Sequence, residues 1–178
     1  MKRIVIILSI FILLTGCGKL SNTPTKRVEE LFDNYKMLSE NVVKDLNDTV
    51  NKEDTFNESQ KELYKDIIKK QYNNLVYEIK DEYINGDNAI VQVQITVKDF
   101  NKILKEAELY FNENQDEFED INGNYLSKYI DYRLEKLKGA KETVTYTLNI
   151  SLTLKDKKWE LNPLSNNDLE KISGIYSY

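Results

Sequence analysis

The chain has 178 residues, of which 25 are basic and 30 acidic, giving a net charge of −5 at pH 7, with one cysteine and no histidine. The lack of histidine excludes Ser-His-Asp and Cys-His catalysis and removes the commonest zinc ligand. A net acidic chain is a poor match for nucleic acid, whose binding draws on phosphate neutralisation, and nothing in the residue pattern calls for a cofactor.

Met1-Lys2-Arg3 precedes an apolar run from Ile4 to Leu14, which leads into Leu14-Thr15-Gly16-Cys17. A positive segment, a short apolar segment and small residues before a cut are the order of a secretory signal. The run is too short to span a bilayer, which takes roughly 20 apolar residues. Leu14 to Cys17 resembles the bacterial lipoprotein signal. The resemblance implies cleavage after Gly16 and a diacylglyceryl thioether on Cys17, which holds the protein on the outer face of the cytoplasmic membrane. Residues 1–16 are then signal peptide, 17–22 lipidated cysteine and tether, and 23–178 a single domain. With Cys17 lipidated no thiol is left for a disulfide, so the fold must rest on its core.

Thr23-Pro24 reads as a helix start, with threonine as N-cap and proline in the first turn. Val28, Leu31, Phe32, Tyr35, Leu38, Val42, Leu46 and Val50 then follow at three- and four-residue steps, the pattern of one amphipathic helix. A second helix, capped by Asn57 or Ser59, carries Leu63, Ile67, Ile68 and Tyr72 and ends at Asn73-Asn74. The period then changes to two. Leu75, Tyr77, Ile79 and Tyr83 make one apolar set, Asn85-Gly86-Asp87-Asn88 a turn, and Ala89, Val91, Val93, Ile95 and Val97 the facing set of a hairpin. Asp99 caps a helix that turns Phe100, Ile103, Leu104, Ala107, Phe111 and Phe118 inward. After Asn122-Gly123-Asn124, a further helix with Leu126, Tyr129, Ile130, Leu134 and Leu137 ends near Gly139. Val144, Tyr146, Leu148, Ile150, Leu152 and Leu154 form the third strand. Asp156-Lys157 turns it into a short fourth with Trp159 and Leu161, and Leu169, Ile172 and Ile175 suggest a last helical turn or two.

The order of elements favours an α+β fold, a curved antiparallel four-stranded sheet packed on N-terminal helices with a helical insert between the two hairpins. Thr23-Pro24 before Val28-Glu29-Glu30-Leu31-Phe32, the turn from Ile84 to Val91, and Lys157-Lys158-Trp159-Glu160-Leu161 together resemble small Gram-positive lipoproteins of the nuclear transport factor 2-like (cystatin-like) fold. That resemblance implies a sheet wrapped over a helix to make a cone with an apolar pocket, and no catalytic residue by itself.

Tyr77, Ile79, Val91, Val93, Tyr146, Leu148 and Ile150 are the side chains expected on the concave face, either lining a pocket or meeting Phe32, Tyr35 and Leu38 and filling it. Asp81, Asp99, Tyr77, Tyr83 and Tyr146 are the candidates for acid–base work in such a cone; Asp99 has the simpler role of a helix cap. The acidic run Glu113, Asp116, Glu117, Glu119 and Asp120 lacks the spacing of a calcium loop and reads as a solvated helix face. Tyr176 and Tyr178 form either a recognition tail or a segment packed on the sheet. The function expected is non-enzymatic binding of a small apolar ligand or a partner protein by a membrane-anchored domain. The alternatives are assembly as a homodimer through the uncharged face of Gln92, Gln94, Thr96, Thr145, Thr147 and Thr153, and an isomerase- or dehydratase-like enzyme.

Overall fold

The computed structural model describes residues 22–120, 123 and 125–177. Cys17, the signal segment and Tyr178 lie outside the described residues. Thr23 opens α1 (Pro24–Lys36) as expected, its Oγ1 accepting from the Lys26 amide at 3.1 Å. The helix does not run on to Val50. Leu38 takes φ 52°, and the amides of Met37 and Ser39 donate back to the carbonyls of Asp33 and Asn34. A separate helix, α2 (Glu40–Asn51), follows Ser39. Apolar spacing conceals this break because it stays helical within each half. The left-handed residue redirects the second half, which packs chiefly on α3 (Glu58–Asn73). Asn57 caps α3 through a reciprocal box: its Oδ1 accepts from the Gln60 amide at 3.0 Å, while Gln60 Oε1 accepts from the Asn57 amide at 2.9 Å.

Four strands, β1 (Val76–Asn85), β2 (Asn88–Lys98), β3 (Thr143–Lys155) and β4 (Lys158–Leu161), pair antiparallel in chain order as an open sheet. Ala89, Val91, Val93, Ile95 and Val97 of β2 and Tyr146, Leu148, Ile150 and Leu152 of β3 are buried. They share one core with Val28 and Phe32 of α1 and Ile67 and Ile68 of α3. Trp159 is 9% exposed, and its strand packs against α1. The opposite face is largely exposed among the described residues and carries Gln92 and Asn149, 3.4 Å apart, and Thr96 and Thr145, 3.1 Å apart. Asp156 and Lys157 both have positive φ, 48° and 63°, as a two-residue type I′ turn requires.

A bulge corrects the sequence reading of β1. Register passes from Ile79 opposite Val93 to Asp81 opposite Gln92, which leaves Lys80 unpaired. One extra residue swaps the faces of everything after it. Tyr83, expected inside with Tyr77 and Ile79, lies opposite Ile90 on the outer face and is 63% exposed. Glu82 takes the inner side instead, where its Oε2 accepts from the Thr25 amide at 2.8 Å and the Thr25 hydroxyl at 2.7 Å. A carboxylate there completes the free amides and complements the dipole at the start of α1.

The insert between the hairpins is helical as expected: α4 (Phe100–Glu113), a 3₁₀ turn at Gln115–Glu117, and α5 (Leu126–Lys138). Asp99 Oδ1 caps α4 at the Lys102 amide, 3.0 Å away. The two helices share an aromatic cluster in which Phe111 stacks on Tyr129 at 4.3 Å and Tyr110 on Tyr132 at 5.2 Å, with Phe118 edge-on to Tyr132. Glu113, Asp116, Glu117 and Glu119 face solvent. Leu126, expected inward, is 54% exposed because it opens α5 ahead of the buried stripe. In α6 (Asn166–Ser173), Ile172 is buried and Leu169 is not. Beyond it Tyr176 returns to the sheet, its ring edge-on to Tyr146 at 5.8 Å.

Candidate functional site

The seven residues expected to line a pocket do share the helix-facing side of the sheet, but the core formed with the helices closes the space over them. Val91 and Val93 have no exposure, and Tyr146, Leu148 and Ile150 at most 3%. The Tyr77 ring stacks on Phe32 at 5.2 Å, and its hydroxyl donates to Asp33 Oδ1 at 2.8 Å. None of the seven lines the cavities described below. The filling arrangement holds because Phe32, with no exposure, puts a large ring into the core that it shares with these strands. The candidate acid–base groups are also dispersed. Asp81 and Tyr83 belong to the outer face, Asp99 caps a helix, and the Tyr146 hydroxyl donates to the Tyr176 carbonyl at 3.4 Å.

Open space lies one layer further out, beneath α2. A groove of about 540 Å³ is walled by Tyr35 from α1, Val42, Leu46 and Val50 from α2, Ile68 and Tyr72 from α3, and Ile175 beyond α6. A second cavity of about 280 Å³ shares Thr49, Val50, Tyr64 and Ile175 with it and continues to Ile130 and Leu134 of α5. The helix set apart from α1 by the Leu38 break, α2, packs on α3 and supplies wall residues to both. A third, more polar space of about 470 Å³ lies between α4 and α5, beside Ile103, Tyr110, Tyr132 and Lys136.

Three tyrosines give the α2 groove its polar character. The Tyr35 and Tyr72 rings meet edge to face at 4.9 Å, and the Tyr72 hydroxyl lies 3.4 Å from Ser173 Oγ. Tyr64 meets Phe56 edge to face at 5.6 Å. Burial pushes the ionisation of all three hydroxyls up. The Asp45 carboxylate adds to the rise at Tyr35 and Tyr72, while the Ser173 contact opposes it at Tyr72. At physiological pH these groups are therefore neutral and able to donate hydrogen bonds. Among the described residues, no group of three or more cysteine or acidic side chains is placed to hold a metal.

The raised tyrosines have a consequence for stability. Burial, with help from the Asp33 hydrogen bond, also lifts Tyr77 from 10.0 to about 12. A hydroxyl whose folded value lies above its unfolded one leaves stability intact below the unfolded value and removes it as pH rises towards the folded one. The melting temperature should hold from neutral pH to about pH 10 and then fall steeply. Tyr35→Phe should make that alkaline fall shallower. Thermal melts across the range check this, and a flat profile through about pH 12 would contradict the buried setting of these rings.

The groove was not legible as a site from the sequence. Tyr35 and Tyr72 each read as members of a helical core stripe, and only the packed helices bring them together.

No family model matches the chain, and no curated protein matches it. Among solved structures, the crystal structure of a candidate lipoprotein (ycdA) from Bacillus subtilis is similar, at 14% identity and a TM-score of 0.46. The match covers 85% of this chain and 48% of that one, so this chain spans about half the length of that protein.

Proposed function

We propose that this chain is a lipid-anchored protein of the outer face of the cytoplasmic membrane that binds a small apolar molecule beneath α2 and performs no chemistry on it. The observation that carries the binding half is the groove itself, about 540 Å³ with apolar walls and neutral tyrosine hydroxyls. That combination of a mostly apolar lining with a few polar groups is what small-molecule sites use. The groove supplies no histidine or thiol to act as base or nucleophile. The resemblance to the nuclear transport factor 2-like fold belongs to the same reading, with the ligand site moved from the packed cone to the space under α2.

Leu14-Thr15-Gly16-Cys17 carries the anchoring half. Asn22, the first described residue, is pinned to the β3–β4 turn: its Nδ2 donates to the Lys157 carbonyl at 2.6 Å, and its Oδ1 accepts from the Trp159 amide at 3.0 Å. The five steps of chain from Cys17 to Asn22 reach at most about 18 Å. From there α1 runs eleven residues, Pro24 to Asn34, about 17 Å, before Tyr35 enters the groove. The anchor thus joins the domain at the end away from the groove, which leaves the groove open to solvent.

Two experiments test the two halves. Cys17→Ala should abolish incorporation of a fatty-acid probe and leave the protein as uncleaved precursor or shed to the medium, since the acyl chains supply the membrane affinity at about 0.8 kcal/mol per buried CH₂. Equal labelling of both proteins would remove the anchor from the account. For the groove, the neutral fluorophore N-phenyl-1-naphthylamine should bind a chain beginning at Gly18, which holds every described element. Thr49→Trp, at an exposed position shared by both cavities, should weaken that binding about tenfold or more while leaving the melt unchanged. Undiminished binding would place the fluorophore elsewhere.

A homodimer is the second reading, favoured by the exposed, uncharged run of Gln92, Thr145, Thr147, Asn149 and Ser151 on the outer face of the sheet. Sedimentation of the same chain distinguishes it, because it requires a concentration-dependent dimer that Thr147→Lys disperses.

A further inference from the structure

We infer that the groove beneath α2 selects apolar molecules that carry a positive charge, an inference that rests on the binding reading above. Its walls offer aromatic rings from Tyr35, Tyr64 and Tyr72, and its rim offers three carboxylates, Asp45, Asp48 and Glu170, against one ammonium, Lys52. On α3 each acidic side chain is met by a lysine a turn away, Lys61–Glu58 at 3.6 Å, Lys65–Glu62 at 2.8 Å and Lys69–Asp66 at 3.9 Å. The rim departs from that habit. None of its three carboxylates has an ion-pair partner among the described residues, and Lys52 pairs with none of them.

Unpaired carboxylates beside a partly water-excluded groove hold a negative potential over its mouth, and the low dielectric of the apolar wall keeps that potential from being fully screened. The field reaches inward: Asp45 is among the groups that hold up ionisation of Tyr35 and Tyr72. Neutral tyrosine rings add their own preference, because the face of a ring is the negative part of its quadrupole and attracts an alkylammonium. An apolar tail fits Val42, Leu46, Val50 and Ile68, while the cationic head lies at the rim near Asp45. An anionic amphiphile of the same length meets the same walls but is repelled at the mouth.

The test compares octyltrimethylammonium, 1-octanol and octanoate, which share a tail and differ in charge. Each is titrated calorimetrically into the chain beginning at Gly18. The ammonium is expected to bind at least about fivefold tighter than the alcohol, with octanoate weakest. Asp45→Asn, at an exposed position that leaves the core untouched, should bring the ammonium down towards the alcohol and leave the alcohol itself unchanged. Glu170→Gln, on a different helix, repeats the test should the first variant melt early. If the alcohol or octanoate binds as tightly as the ammonium, the charge selection is wrong and the binding reading stands. If none of the three binds, both fall together.

Discussion

Val93→Asp is expected to unfold the domain outright. Val93 is fully buried at the centre of β2, between Ile79 of β1 and Leu148 of β3. An aspartate there would be a carboxylate with no partner among aliphatic side chains. Such a substitution costs upwards of about 4 kcal/mol, against a whole-domain stability of about 5–15 kcal/mol. The remedy open to a surface residue, rotating outward, is closed by the pleat, which fixes the side chain on the helix side. Thr147→Asp is the matched control. It places the same charge one residue before Leu148 on the outer face, where Thr147 is exposed, and should cost less than about 1 kcal/mol. Circular dichroism of the two variants reads the result. A native-like melt for Val93→Asp would mean that the face assignment of β2 is wrong.

Gly174→Ala is expected to lower the melting temperature by about 10 °C, from a loss of about 3 kcal/mol or more. Gly174 ends α6 at φ 77°, a left-handed conformation that costs a residue with a Cβ about 1–2 kcal/mol. The larger part of the effect is steric. A Cβ at this position would lie inside the van der Waals reach of the Lys98 carbonyl oxygen and Gln71 Nε2. These two atoms cannot both give way, because they belong to one buried clamp. Gln71 is 2% exposed; its Oε1 accepts from the Lys98 amide at 2.9 Å, and its Nε2 donates to the carbonyls of Lys98 at 3.0 Å and Ser173 at 3.2 Å. It ties α3, the end of β2 and the end of α6 together. Displacing it leaves buried polar groups unmet. Gly86→Ala separates strain from clash. Gly86 has φ 59° but nothing within 4 Å of a new Cβ, so it should lose only the conformational part, about 1–2 kcal/mol. Equal effects at the two glycines would contradict the clamp.

These two sites mark what the sequence discloses and what it withholds. Val93 was legible because alternation carries face information directly: Ala89 to Val97 and Val144 to Leu154 each repeat at two residues, and each set went to the core as a block. Caps were legible for a similar reason, since Thr23 and Asp99 bond amides only three residues away. Gln71 was not, because its three bonds reach partners 27 and 102 residues distant. The two errors of path, at Lys80 and Leu38, share a cause. Each depends on one residue adopting an uncommon role without the glycine or asparagine that would announce it. The single break at Leu38 had the larger effect, because it makes α2 a helix of its own, and α2 walls the groove. The concave residues from Tyr77 to Ile150 were placed on the right face, but whether a face is filled or hollow depends on ring volumes that meet across elements.

Mapping a bound probe residue by residue shows whether the space beneath α2 is the working surface. Amide and side-chain NMR shifts of the chain beginning at Gly18 should be recorded as N-phenyl-1-naphthylamine is added. The perturbed signals are expected to gather at Tyr35, Val42, Leu46, Tyr64, Tyr72 and Ile175, with the outer sheet face and the α4–α5 groove silent. Shifts gathered instead at Gln92, Thr145 and Thr147, or at Tyr110 and Tyr132, would contradict that placement.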